Sequence, residues 1–201
     1  MVKVRWWMKW LYPGVVWNFS RREKVLYLTF DDGPIPDVTP KVLDILARYN
    51  ALATFFSIGD NVRKHPDVFR QILSAGHRIG NHSFHHYNSW KVSATDYISD
   101  VEQAAAVIDS DLFRPPYGKL TPRTLLYLRK KFHVVMWDVI SCDFDTRVSA
   151  DQVYQNVVEN AGPGSIVVFH DSLKAAPSML AALPKVLDYF KKEGYVFRII
   201  P

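Results

Sequence analysis

The chain has 201 residues, 48% apolar and 22% charged, with a formal net charge of +5. Those proportions describe one soluble globular domain with a substantial core. They exclude a nucleic-acid binder, because Lys and Arg are scattered rather than run together, and the lone Cys142 excludes an internal disulfide.

Met1 to Ser20 interleaves Trp6, Trp7, Trp10, Tyr12 and Trp17 with Lys3, Arg5 and Lys9. It has no uninterrupted apolar stretch with a small-residue cleavage site, so no secretory signal is expected and a cytoplasmic location is favoured. No run reaches the roughly 18 apolar residues of a membrane helix. Trp with basic residues suits a membrane interface, but the favoured reading is an arm, residues 1–23, packed across the outside of a domain spanning 24–201.

Val25 to Phe30 is an uncharged run of β-branched, aromatic and leucine residues. That is a strand buried on both faces, as in a parallel sheet. It stops on Asp31, Asp32 and a Gly33-Pro34 turn signal. Adjacent acids on an extended segment point to opposite sides, and the Gly33-Pro34 turn is expected to bring both to one place. Thr39-Pro40 reads as an N-cap and first helical position, followed by Val42, Leu43, Leu46 and Tyr49 at helical spacing. Leu52–Ile58 is a second strand. Pro66 opens a helix that Gly76 follows, and His77–Ser83 is a strand running into a His-rich loop. Ser93 caps the next helix. Leu112–Gly118 is a brief strand, Thr121-Pro122 opens another helix, and His133–Val139 is a strand. Ser149 caps a helix, Ser165–His170 is a strand, Met179–Lys192 is a helix with Pro184 inside it, and Tyr195–Ile200 is the last strand.

Regular alternation of apolar strands and helices implies parallel strands with right-handed crossovers. Polar residues close nearly every strand, which favours a closed or nearly closed barrel over an open sheet with one switch point. Gathered at one rim, those groups are Asp31, Asp32, His82, His85, His86, Arg114, Asp138, Asp143, His170 and Asp171. His82 and His86, four apart, together with one carboxylate make a three-ligand set with an open position, the arrangement of catalytic zinc or a similar divalent ion. His65, His77 and His133 read as structural and Cys142 as incidental, while Trp90, just after the metal loop, suits a sugar-stacking platform or core, with core favoured.

Five segments in order, Thr29-Phe30-Asp31-Asp32-Gly33-Pro34, His82-Ser83-Phe84-His85-His86, Arg114-Pro115-Pro116-Tyr117-Gly118, Asp143-Phe144 and Val168-Phe169-His170, resemble the motifs of the polysaccharide deacetylases. This is the NodB homology domain, carbohydrate esterase family 4. The resemblance runs from about Lys24 to the C-terminus. It implies a distorted (β/α)7 barrel and a metal-dependent hydrolase that removes an acetyl group from an N-acetylated amino sugar in a poly- or oligosaccharide. It implies Asp31 as general base, Asp32, His82 and His86 as ligands of a divalent ion, zinc first and cobalt or another ion as alternatives, and Arg114 as the partner of the base. It implies Tyr117 as the backbone oxyanion donor, Asp143 as the acid holding the histidine, and His170 as general acid, with His85 outside the ligand set. Two departures touch the acyl pocket: Phe144 stands where the family has Trp, and Val168 where it has Leu.

The chemistry needs these groups together. A non-ligand carboxylate takes a proton from water, an arginine beside it keeps it ionised, preplaced donors receive the oxyanion, and a positioned imidazole supplies a proton near neutral pH. Two other readings keep the same residues: a hydrolase of another small amide or an O-acetyl ester, and a catalytically silent carbohydrate-binding domain. The second has no use for a general base.

Overall fold

The structure, a computed structural model, describes residues 2–201, and the Met1 end of the arm lies outside them. Strand β1 (Val25–Asp31) is the centre of the sheet, pairing in parallel with β2 (Ala53–Ser57) on one side and β7 (Ile166–His170) on the other. β3 (Arg78–Asn81), β4 (Leu112–Phe113) and β5 (His133–Val134) extend it past β2, and β6 (Val139–Ile140) extends it past β7. The order is β5-β4-β3-β2-β1-β7-β6, all parallel, with β8 (Val196–Phe197) pairing with the start of β1. The sheet curls into a half-barrel, as the distorted (β/α)7 expectation requires.

Side chains alternate between two cores, as the strand period demands. Leu26, Leu28 and Phe30 of β1 and Val167 and Phe169 of β7 face the helices, packing with α1 (Thr39–Arg48) and α7 (Ala176–Lys192). Phe30 stacks between Phe55 and Phe169 at centroid distances of 5.0 and 5.8 Å. Tyr27, Phe56, Leu112, Val135, Ile166 and Ile200 fill the inner side of the curl. Thr29 and Asp31 share that inner face of β1 by period two, and so do Val168 and His170 of β7.

The remaining helices are α2 (Gly59–Lys64), α3 (Pro66–Ser74), α4 (Ala94–Ala105), α5 (Pro122–Leu128) and α6 (Ala150–Val158). The caps read from sequence at Ser93, Thr121 and Ser149 each accept a backbone N–H from the first turn, and the short α2 is additional. Thr39 is not a cap. It is the first residue of α1, and its hydroxyl accepts from the Ile35 N–H and donates to Asp171. No helix among the described residues is long and apolar enough to cross a membrane.

The expected strand His133–Val139 is two strands on opposite edges of the sheet. The chain leaves β5 after Val134 and crosses the open seam before β6 joins β7. The N-terminal arm is hydrogen-bonded along that crossing. Val16 donates to the Val134 carbonyl and accepts from Met136 N–H, and Val4 N–H donates to Asp138 O. Val4 and Trp17 pack on Met136 as a small buried cluster, while Trp6, Trp7 and Trp10 are exposed.

Candidate active site

Asp31 is the last residue of β1, and its partner across the parallel ladder on β7 is His170. Asp32 leaves the strand at φ 84°. This left-handed step at Asp32 itself separates the two acids from strand geometry, one residue before the turn expected to do so. The step is held from three sides. Asn61 Nδ2 donates to the Asp32 carbonyl at 2.7 Å, Ile58 N–H to the Gly33 carbonyl at 2.9 Å, and Gly33 N–H to Asp171 Oδ1 at 3.0 Å. A Cβ on Gly33 would lie 2.0 Å from Asp171 Oδ2, so the position excludes a side chain.

His82 follows β3, and its Nδ1 bonds the Arg114 carbonyl at 2.8 Å. That carbonyl only accepts, so Nδ1 carries the proton and Nε2 presents a lone pair. Ser83 and His86 both take positive φ, 63° and 59°, and the tight loop brings the second imidazole back. His82 Nε2 lies 3.8 Å and His86 Nε2 3.3 Å from Asp32 Oδ1. Asp32 Oδ1 is buried with no hydrogen-bond partner. An orphaned carboxylate oxygen facing two imidazole nitrogens, all ligand atoms within 4.8 Å of one another, is a donor set that fits one divalent cation. His85 is held elsewhere, its Nδ1 at 2.5 Å from Asp100 Oδ1, as expected for a residue outside that set.

Arg114 is fully buried. Its Nη1 donates to Asp31 Oδ1 and to Thr29 Oγ1, each at 2.7 Å, and Nη2 donates to Met136 O at 3.0 Å. Its guanidinium lies 4.0 Å over the Phe56 ring. Tyr117 sits at φ 60° in a 3₁₀ turn, its ring 4.6 Å from that of His86. Across the cleft, Asp143 is buried and binds His170 twice, Oδ1 to Nδ1 at 2.7 Å and Oδ2 to the backbone N–H at 2.8 Å. Phe144 stands edge-on to His170 at 5.2 Å.

A family model described as polysaccharide deacetylase matches residues 19–135, more than half the chain. The chain belongs to the polysaccharide deacetylase family. It is 35% identical over 190 residues to a peptidoglycan-N-acetylglucosamine deacetylase of Bacillus cereus, covering 91% of this chain and 89% of the relative. It is 31% identical to a chitooligosaccharide deacetylase of Azorhizobium caulinodans, covering 94% and 98%. A crystal structure of a peptidoglycan N-acetylglucosamine deacetylase superposes with a TM-score of 0.88 at 31% identity, covering 98% of this chain and 95% of that one. A pseudoenzyme of the same family from Bacillus anthracis also superposes, at a TM-score of 0.81, 25% identity, and 94% and 68% coverage. Family membership by itself therefore does not guarantee catalysis, and the side chains must be read one by one. The family is metal-dependent, and among the described residues Asp32, His82 and His86 form a group that could hold an ion.

Burial and neighbours tune the cleft in opposite directions. Burial of Asp31 disfavours its carboxylate, but the Arg114 guanidinium, with smaller help from His82 and His170, outweighs this and holds it below the usual carboxylate range. Burial likewise disfavours the His170 imidazolium. The Asp143 carboxylate, its hydrogen bond, and the charges of Asp32 and Asp31 overcome this and raise His170 to about 9. Burial pushes His82 down to about 4, leaving a neutral imidazole suited to be a ligand. Burial also raises Asp171 to about 7.

Asp138 is not at this rim. It precedes β6, at the opposite end of the strands, where it bonds Arg21 Nη2 at 2.8 Å and Ser165 Oγ at 2.7 Å. Cys142 points no reactive thiolate at the cleft, since burial raises its thiol. Trp90 is 61% exposed, not core. Two supports were not assigned a role from sequence. Asp100 of α4 accepts the Phe84 N–H at 2.9 Å and the His85 N–H at 3.1 Å, fixing the histidine loop. Asn61 of α2 fixes Asp32, as above. An acid on the inward face of an amphipathic helix was the only available signal for Asp100.

Proposed function

We propose that this chain hydrolyses the N-acetyl amide of an amino sugar within a peptidoglycan- or chitin-type glycan, with Asp31 as base and His170 as acid. One observation carries the reading: two titratable groups paired across β1 and β7 are tuned apart, Asp31 held ionised and His170 held protonated. Such a divergence supports Asp31 as base and His170 as acid. An amide needs it more than an ester does, because the amine must leave with a proton.

When bound at Asp32, His82 and His86, a divalent ion supplies Lewis acidity at the acetyl carbonyl and the attacking water. Zinc is the ion this two-imidazole, one-carboxylate set suits best. Asp31 takes the proton from water as its oxygen bonds the carbonyl carbon. The Tyr117 backbone N–H donates to the developing oxyanion. The His170 imidazolium then gives its proton to the nitrogen as the C–N bond breaks, leaving acetate and a free amine. Asp143 holds Nδ1 so that Nε2–H faces the cleft. Arg114 keeps Asp31 charged and oriented throughout.

The compartment follows the substrate, and a peptidoglycan-type polymer points outside the cytoplasm, away from the sequence expectation. The test is acetate release from N-acetylglucosamine oligomers, peptidoglycan and O-acetylated xylan, with zinc, with cobalt and with a chelator. Release from the N-acetylated substrates that chelation abolishes and metal restores is the expected result. Release from xylan alone, or none from any substrate while the folded protein binds metal, overturns the reading.

A further inference from the structure

We propose that Trp90 and Lys119 form an additional sugar subsite that continues the cleft beyond Tyr117 and gives the enzyme a preference for longer N-acetylated oligomers. The proposal rests on the deacetylase reading above. Trp90 is 61% exposed on a loop, which leaves much of its ring surface accessible to a ligand. The ring is nevertheless fixed. Its indole N–H donates to the Leu120 carbonyl at 3.3 Å, and its backbone N–H donates to Asn88 Oδ1 at 3.0 Å. Ser89 Oγ donates to the Lys119 carbonyl at 2.8 Å, and the Lys119 ammonium lies 4.7 Å from the Trp90 ring centroid. The loop carrying the ligand His86 and the loop carrying Tyr117 are thus clasped together at Trp90.

This clasp fixes the position of the ring relative to the chemistry. Trp90 follows His86 by four residues, and its indole is tied to Leu120, three residues after Tyr117. Three residues reach at most about 10 Å. Tyr117 is itself exposed and lies 4.6 Å from His86. Trp90 is thus tied close in the chain to both His86 and Tyr117, on the two loops that carry them. Pyranose rings present their C–H faces to such surfaces, and a fixed indole loses little conformational freedom on binding one. The Lys119 ammonium offers donors to sugar hydroxyls and repels an ammonium, so it favours an N-acetylated unit over a deacetylated one beside the reacting sugar.

The test compares Trp90→Ala with the wild type on N-acetylglucosamine oligomers of increasing length. The ratio of kcat/KM for long to short oligomers is expected to fall roughly two- to tenfold, through KM and with kcat retained on the long substrate. Trp90→Phe is expected to recover most of the ratio. A parallel loss at every length, or no loss at any, overturns the subsite. Oligomer titration followed by isothermal calorimetry, with Trp90→Gln as the reference if Trp90→Ala does not fold, reads the site without turnover. If the wild type releases no acetate, the deacetylase reading fails, and this binding measurement still decides the subsite by a chain-length-dependent loss of affinity or its absence.

Discussion

Arg114→Met separates the two things this buried side chain does. Arg114 is fully buried and, besides Asp31, also bonds Thr29 and Met136. Removing it strands the Asp31 carboxylate in the interior. Breaking a buried pair from one side costs about 3–5 kcal/mol, which for a chain of this size lowers Tm by about 6–20 °C. With the guanidinium gone, burial acts on Asp31 with less opposition, so its pKa rises and a smaller share of the base is ionised at neutral pH. Activity is then expected to be reduced at neutral pH and partly regained as pH rises. The assay is a thermal melt with a kcat/KM–pH profile for Arg114→Met, Asp31→Asn and the double variant. The double variant has no charge to strand and is expected to melt above Arg114→Met. If Arg114→Met melts within a degree or two of wild type, or the double variant is no more stable than Arg114→Met, the charge argument is refuted.

The two adjacent acids predict different failures. Asp31→Asn is expected to bind zinc with near wild-type affinity while kcat falls about 10²–10⁴-fold, whereas Asp32→Asn loses zinc affinity first and regains activity at high zinc. Isothermal titration with zinc on both variants reverses the assignment if Asp31→Asn is the one rescued. Gly33→Ala forces a Cβ against the Asp171 carboxylate, so it is expected to shift Asp32 and weaken zinc binding while the core strands remain protected from hydrogen exchange. Unchanged zinc affinity removes the role given to that turn. His170, raised to about 9 from 6.5, contributes stability that is fully present below about pH 6.5 and fades as pH rises through 9. In Asp143→Asn burial is less opposed, the imidazole pKa falls, and the alkaline limb of the activity profile moves to lower pH. NMR titration of the His170 ring protons checks the shift, and a pKa unchanged by Asp143→Asn contradicts it.

What was legible in the sequence is what local chemistry dictates. Val25–Phe30 has no reading other than a doubly buried strand, and an acid pair at its end needs a partner wherever it lies. Asp31, Asp32, His82, His86, Arg114, Tyr117, Asp143, Phe144 and His170 do meet at one rim. The failures come from information that neighbours do not carry. Val134–Met136 is an unbroken apolar run, so it reads as one strand, yet the run spans the seam between two edges. Asp138 follows that run and so reads as a strand end, when it is a strand beginning. Nothing in the spacing of Trp90 distinguishes a core indole from a ring clasped on the surface by Leu120, thirty residues away.

The seam also explains why the aromatic arm belongs in an account of the active site. A half-barrel whose edge strands β5 and β6 do not pair leaves its inner layer open on that side. The arm closes it by backbone bonds to Val134 O and from Met136 N–H. The carbonyls of Val135 and Met136, on the same crossing, accept from Arg114 Nε at 3.4 Å and Nη2 at 3.0 Å. Arg114 in turn meets Asp31. Val16, the crossing, Arg114 and the base are thus linked in sequence by hydrogen bonds, and only the last of these groups lies at the site of chemistry. An arm that merely lay on the outside of a closed barrel would have no such connection. Here the orientation of the base depends on carbonyls of a crossing that the arm and β4 hold between them, Met136 N–H donating to Val16 O and Val135 N–H to Phe113 O.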